Sequence, residues 1–211
     1  MKKSTAIKIK VCGMRDARNI LQVAELRPDF MGFIFYPPSP RFVGVDFKMA
    51  DDFPKYIKRV GVFVNEVSSK VLEIAKLNQL DFIQLHGDES VTYCLELKNA
   101  GLGVIKVFRV DEDFDFVQTN AYSEVVDYFL FDTKGKYYGG NAQKFNWALL
   151  KKYNQKIPFF LSGGIKIADV CDMLELEGMN LVAIDINSGV EKSPGVKDIT
   201  KLSEVINKIR L

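Results

Sequence analysis

The sequence predicts a single eight-stranded β/α barrel, and three observations carry that reading. Short β-branched or aromatic runs alternate with longer stretches of helical periodicity, the pattern of buried parallel strands joined by crossovers. The ends of the strand-like runs are Val11, Phe35, Asn65, His86, Arg109, Asp132, Ser162 and Ile186, spaced 21 to 30 residues apart. Such even pacing through eight units favours a closed barrel over an open sheet. The 211 residues suit one domain with one core, and no linker, repeat or low-complexity stretch divides them, so residues 1–211 read as a single domain. The rival doubly wound fold lacks a Gly-x-Gly-x-x-Gly turn after its first strand.

Taken in order, the strand candidates are Ile7–Val11, Phe30–Phe35, Arg59–Asn65, Phe82–His86, Val104–Val110, Tyr128–Asp132, Ile157–Ser162 and Leu181–Ile186. Helices are expected between them, among them Ala17–Glu25, Ser68–Asn78, Val91–Asn99, Trp147–Tyr153, Ile167–Leu176 and Ile199–Ile209. Ser68 is a candidate N-cap, and Gly101 stands where a C-cap glycine would end a helix. The segment Val45–Tyr56 shows no clear pattern, and Pro54 would end any helix there.

Composition narrows the function. The 29 basic and 27 acidic residues leave a net charge of +2, too weak a field to grip a nucleic acid backbone. Acidic small molecules would have to be held by local groups. The first apolar run is short and interrupted by Lys8 and Lys10, and none approaches the roughly 18 apolar residues of a membrane span. A cytoplasmic protein with neither nucleic acid nor membrane as partner is expected. Cys12, Cys94 and Cys171 are odd in number and scattered, which argues against a disulfide framework or a zinc site. His86 is the one histidine. No metal or other cofactor is expected.

Barrel chemistry sits at the C-terminal ends of the strands, and polar residues gather there. Cys12 and Gly13 follow the first strand. A thiolate there can act as a base, although most cysteines are inert buried groups. Asp132 ends the apolar run Tyr128–Phe131, where burial would raise its pKa and suit it to general acid work. Alternatively it caps a helix or pairs with Lys134 or Lys136. Arg41 follows Pro37-Pro38-Ser39-Pro40 and can either fork onto a carboxylate or sit in solvent. His86 is a packing residue or a proton shuttle. Lys106 lies within the fifth strand, and its neighbours do not suggest a Schiff-base site. Gly163 and Gly164 after the seventh strand, and Ser188 and Gly189 after the eighth, occupy the usual barrel phosphate site, unless the glycines only permit tight turns.

These residues lie in motifs that run in order through nearly the whole chain. They are Ile9-Lys10-Val11-Cys12-Gly13-Met14; Gly32-Phe33-Ile34-Phe35-Tyr36-Pro37 with Ser39-Pro40-Arg41; Gly61-Val62-Phe63-Val64-Asn65; and Gln84-Leu85-His86-Gly87-Asp88-Glu89. Asp132-Thr133-Lys134 with Gly139-Gly140, Leu161-Ser162-Gly163-Gly164, and Ser188-Gly189-Val190-Glu191 with Pro194-Gly195-Val196-Lys197-Asp198 complete them. In this the chain resembles the phosphoribosylanthranilate isomerases of tryptophan biosynthesis.

The resemblance implies an Amadori rearrangement of a phosphosugar, with Cys12 as general base and Asp132 as general acid. It implies an anthranilate-carboxylate contact at Arg41 and phosphate contacts at Gly163, Gly164, Ser188 and Gly189. His86 and Asp185 would also line the substrate. Three departures stand out. Asn141-Ala142 follows Gly139-Gly140 where the family continues Thr/Ser-Gly, Ser162 replaces a common alanine, and Asn187 replaces a common serine. The rival readings are a metal-dependent epimerase, a Schiff-base aldolase relying on Lys106, and a barrel that binds anions without turnover. The sequence does not fix the oligomeric state.

Overall fold

Eight parallel strands close into a ring in the computed structural model, which describes residues 7–135, 145–170, 172, 176 and 178–210. The strands are β1 (Lys8–Val11), β2 (Phe30–Ile34), β3 (Lys58–Phe63), β4 (Phe82–Leu85), β5 (Gly103–Val110), β6 (Tyr128–Thr133), β7 (Phe159–Leu161) and β8 (Leu181–Ile186). Each pairs in parallel with the next, and β8 pairs with β1 to complete the barrel. A short antiparallel pair, β9 (Glu191–Ser193) and β10 (Val196–Lys197), follows β8. The α-helices are α1 (Ala17–Glu25), α2 (Ser68–Leu77), α3 (Val91–Asn99) and α4 (Ile199–Arg210).

Alternation along the strands explains why the barrel is filled and why its polar end is polar. Phe30, Val60, Ile105, Val107, Leu130, Phe160 and Ala183 form one buried cluster in the barrel interior, where Phe30 meets Phe160 with ring centroids 5.0 Å apart. Residues on the opposite faces, such as Ile9, Val11, Phe33, Phe129 and Phe131, join the larger core beneath the outer layer. Both faces are therefore apolar, and the strands read as continuous apolar runs. Moving two residues along an inward-facing register keeps the side chain inside. Leu130 thus leads to Asp132, and Phe82 leads to Gln84 and His86.

Several predicted elements differ in form. Ser68 is the first residue of α2, not its cap; Val67 occupies the cap position and makes no side-chain cap bond. The turn is set earlier, where Asn65 takes left-handed backbone at φ 48°. Gly101 does end α3, at φ 88° with its N–H on the Lys98 carbonyl. The helix expected over Trp147–Tyr153 is a 3₁₀ segment, Trp147–Lys152, and that expected over Ile167–Leu176 is described as 3₁₀ over Ile167–Val170. Another 3₁₀ segment, Phe116–Tyr122, crosses from β5 to β6. Local side-chain bonds follow the Trp147–Lys152 segment: the Tyr153 hydroxyl donates to the Ile157 carbonyl at 2.6 Å and accepts its N–H at 2.8 Å. Among the described residues no α-helix lies between β2 and β3. Cys171 and the Gly139–Ala142 segment lie outside the described residues. No described helix is long and apolar enough to cross a membrane.

Lys106 does not enter the barrel. It lies between inward-facing Ile105 and Val107, and so points to the outer layer. There its ammonium meets Glu89 Oε2 at 2.9 Å and the Gly87 carbonyl at 2.7 Å. Glu89 in turn accepts the N–H groups of Asn65 and Gly87. The pair is buried and fastens the turn that carries His86. Removing one partner of such a pair leaves an uncompensated buried charge. Glu89→Gln is expected to destabilise the protein by about 3–5 kcal/mol, read as a lower urea midpoint at unchanged slope.

Candidate active site

The floor of the site is a buried ion pair. Lys10 and Asp185 are directly opposite in the β1–β8 register, and the Lys10 ammonium lies 2.9 Å from each carboxylate oxygen. Lys10 is fully buried. Burial alone would lower its pKa, but Asp185 and Cys12 outweigh it and hold the ammonium charged, above its ordinary value. Two residues further along the chain, just past the end of β1, Cys12 lies at the strand mouth. Gly32 on the neighbouring strand makes room for it: a Cβ there would sit 2.7 Å from the Cys12 sulfur. Burial pushes the Cys12 thiol up, against the opposing pull of Lys10 and Lys197. The resting thiol is therefore protonated at neutral pH.

Asp132 sits across the mouth on β6, also buried. One carboxylate oxygen accepts the Thr133 N–H at 2.9 Å, and the other lies 3.4 Å from His86 Nε2. On the far side of the imidazole, Gln84 Nε2 approaches Nδ1 at 3.1 Å. With that amide donating, the imidazole proton sits on Nε2 and faces Asp132. Asp132 does not pair with Lys134, which bonds Asp111 instead; Lys136 lies outside the described residues. Asp185 is close enough to Asp132 to feel its charge, so the floor pair bears on both sides of the site.

Arg41 closes one rim. Its Nε lies 3.0 and 3.1 Å from the two Glu191 oxygens, and its Nη2 lies 2.7 Å from Oε2. Glu191 also receives Lys197 Nζ at 2.7 Å and the Gly195 N–H at 3.0 Å. Lys197 reaches on to Asn187 Oδ1 at 2.7 Å. Burial raises the Glu191 pKa, but Arg41 and Lys197 outweigh it and hold the carboxyl below its ordinary value. Neither Glu191 nor Lys197 stood out in the sequence as a site residue, although both lie in the quoted motif after Ser188. The glycine loops continue the rim from Glu191, which directly follows the Ser188–Val190 turn. Gly163 and Gly164 adopt φ values of 104° and 66°. A Cβ on Gly163 would strike the Thr133 hydroxyl, and one on Gly189 the Ile165 carbonyl. The loops after β7 and β8 thus pack backbone to backbone, with Ser188 opening a short 3₁₀ turn, Ser188–Val190.

The family described as N-(5'-phosphoribosyl)anthranilate isomerase matches residues 9–208. The chain belongs to the phosphoribosylanthranilate isomerase family. The isomerase of Phocaeicola vulgatus is 43% identical over 202 residues, covering 96% of this chain and 97% of that one. That of Caldanaerobacter subterraneus is 41% identical, covering 97% and 98%. The crystal structure of the Thermotoga maritima isomerase superposes with a TM-score of 0.82 at 31% identity, covering 96% of this chain and 98% of that one. A phosphoribosyl anthranilate isomerase in complex with reduced 1-(o-carboxyphenylamino)-1-deoxyribulose 5-phosphate gives 0.79 at 30% identity, with the same coverage. This chain is accordingly an isomerase on a β/α barrel. The residues named from the sequence gather at one end of that barrel: Cys12, His86, Asp132 and Asp185 within the mouth, with Arg41 and the two glycine loops around it.

Proposed function

We propose that this site converts N-(5-phosphoribosyl)anthranilate to 1-(2-carboxyphenylamino)-1-deoxyribulose 5-phosphate, a step of L-tryptophan biosynthesis, with Asp132 as acid and Cys12 as base. The observation that carries this reading is the placement of a buried thiol just after β1 and a buried carboxyl on β6, at the same end of one barrel. Asp132 protonates the ribose ring oxygen, and the ring opens to a Schiff base with the anthranilate nitrogen. The iminium acidifies the neighbouring C2′ proton, which Cys12 removes as thiolate. The resulting enolamine tautomerises to the ketone. The amine belongs to the substrate, so this chemistry asks for no lysine imine and no hydride carrier. His86 faces the Asp132 carboxylate and stabilises the anion left by proton donation.

Arg41 receives the anthranilate carboxylate, and Gly163, Gly164, Ser188 and Gly189 receive the phosphate through backbone groups. The substrate is a small phosphosugar; the same reading places the enzyme in the cytoplasm, with neither nucleic acid nor membrane as partner. The test is the decay of anthranilate fluorescence on adding enzyme to freshly made substrate. Turnover that requires both Cys12 and Asp132 supports the assignment, and an inactive wild-type protein overturns it. Arg41→Ala is expected to raise KM about tenfold to a hundredfold with kcat changed far less, as befits a contact present in both ground and transition states.

A further inference from the structure

We propose that Glu191 is a positioning residue that selects which edge of the Arg41 guanidinium meets the substrate, and thereby sets the preference for ligands that bear a ring carboxylate. This rests on the reading of Arg41 as the carboxylate receptor. A guanidinium has a side edge, Nε with Nη2, and an end edge, Nη1 with Nη2. Either can take a carboxylate in bidentate fashion. Glu191 occupies the side edge with both oxygens. Among the described residues, Nη1 has no acceptor. The end edge is left to an incoming carboxylate.

A carboxylate placed beside an anion receptor would normally repel the ligand. Here its charge is already matched. Glu191's one negative charge is met by Arg41 and by Lys197, whose pKa burial holds below its ordinary value, so the cluster presents no net negative charge to a ligand carboxylate. The anchors are stiff. Glu191 accepts from Lys197 and the Gly195 N–H, and Lys197 is itself fixed to Asn187. The Arg41 stem passes directly over Gly13: a Cβ at Gly13 would lie 2.7 Å from Arg41 Cδ and 2.7 Å from Asn187 Oδ1. Gly13 is the residue after Cys12. The guanidinium held by Glu191 therefore approaches the mouth next to the proposed base. Without Glu191, two cations would face one another and Arg41 would regain its side-chain freedom, losing the preorganisation that favours binding.

The charge and positioning accounts predict opposite signs. If Glu191 only offsets charge, its removal tightens carboxylate binding. If it orients Arg41, removal weakens that binding selectively. The experiment measures inhibition constants of two ligands, reduced 1-(o-carboxyphenylamino)-1-deoxyribulose 5-phosphate and its phenylamino counterpart lacking the carboxylate. Wild type, Glu191→Gln and Arg41→Met are compared. Wild type should favour the carboxylate ligand, and Arg41→Met should lose that preference. Glu191→Gln should lose about tenfold of it while binding the phenylamino ligand within about twofold of wild type. An unchanged or larger preference in Glu191→Gln, or equal weakening of both ligands, overturns the role of Glu191 while the Arg41 reading stands. A preference retained in Arg41→Met overturns the Arg41 reading and this inference together. Glu191→Met, similar in length but without an acceptor, is read by the same outcomes should the glutamine variant not fold.

Discussion

Replacing Cys12 with serine is expected to lower kcat by about a hundredfold to ten-thousandfold, the usual scale of a lost general base. Serine fits the space that Gly32 leaves open, so binding of the reduced product analogue should persist while turnover falls. The hydroxyl cannot supply an anion at accessible pH, whereas a thiol can. Asp132→Asn should cause a loss of the same order, because the amide keeps the Thr133 N–H bond yet cannot deliver the proton. The pH dependence follows from burial, which raises the Cys12 thiol pKa above its ordinary value. The base-competent thiolate is then a minority at neutral pH and grows as pH rises. The kcat/KM of the wild type should therefore increase with pH through the elevated thiol range. A single-turnover fluorescence series across pH measures this rise, and a profile that stays flat there would remove Cys12 as the base.

What the sequence made legible, and what it hid, follows from how local each determinant is. Strand bodies were readable because the interior cluster around Phe30 and Phe160 and the outer core both demand apolar side chains. The β8 limits, Leu181–Ile186, match the expectation outright. The crossovers after β5, β6 and β7 were less readable. They are short 3₁₀ turns fixed by individual side-chain bonds, such as those of Asp115, Asn146 and the Tyr153 hydroxyl, and periodicity carries no trace of these. Cys12, Asp132 and His86 could be found because each stands at a strand end. The role of Lys10 could not. In the sequence it is one member of the first quoted motif, and its partner lies 175 residues away. Glu191 was hidden for the same reason, since its bond to Arg41 spans 150 residues. Gln84 looks like a stray polar residue in a strand until the fold puts it beside His86.

Lys10→Met should separate the two roles of the buried pair. A single substitution leaves a buried Asp185 without its cation, and breaking a buried pair in this way typically costs about 3–5 kcal/mol. The urea midpoint should fall accordingly. Activity should fall as well, through Cys12: Lys10 is one of the two cations that favour the thiolate, so its loss moves the rise of kcat/KM to still higher pH. The double variant Lys10→Met with Asp185→Asn removes both charges. Since replacing both members of a buried pair with neutral groups of similar volume is often close to neutral for stability, much of the midpoint should return. The displaced pH profile should return only in part: the Asp185 charge that raises the thiol has gone, but so has the larger, opposing pull of the ammonium beneath it. Recovery of both stability and rate would make the pair purely structural. Recovery of stability with a pH profile still displaced from wild type would show that the buried pair persists for the base above it, since neutral side chains could fill the floor equally well.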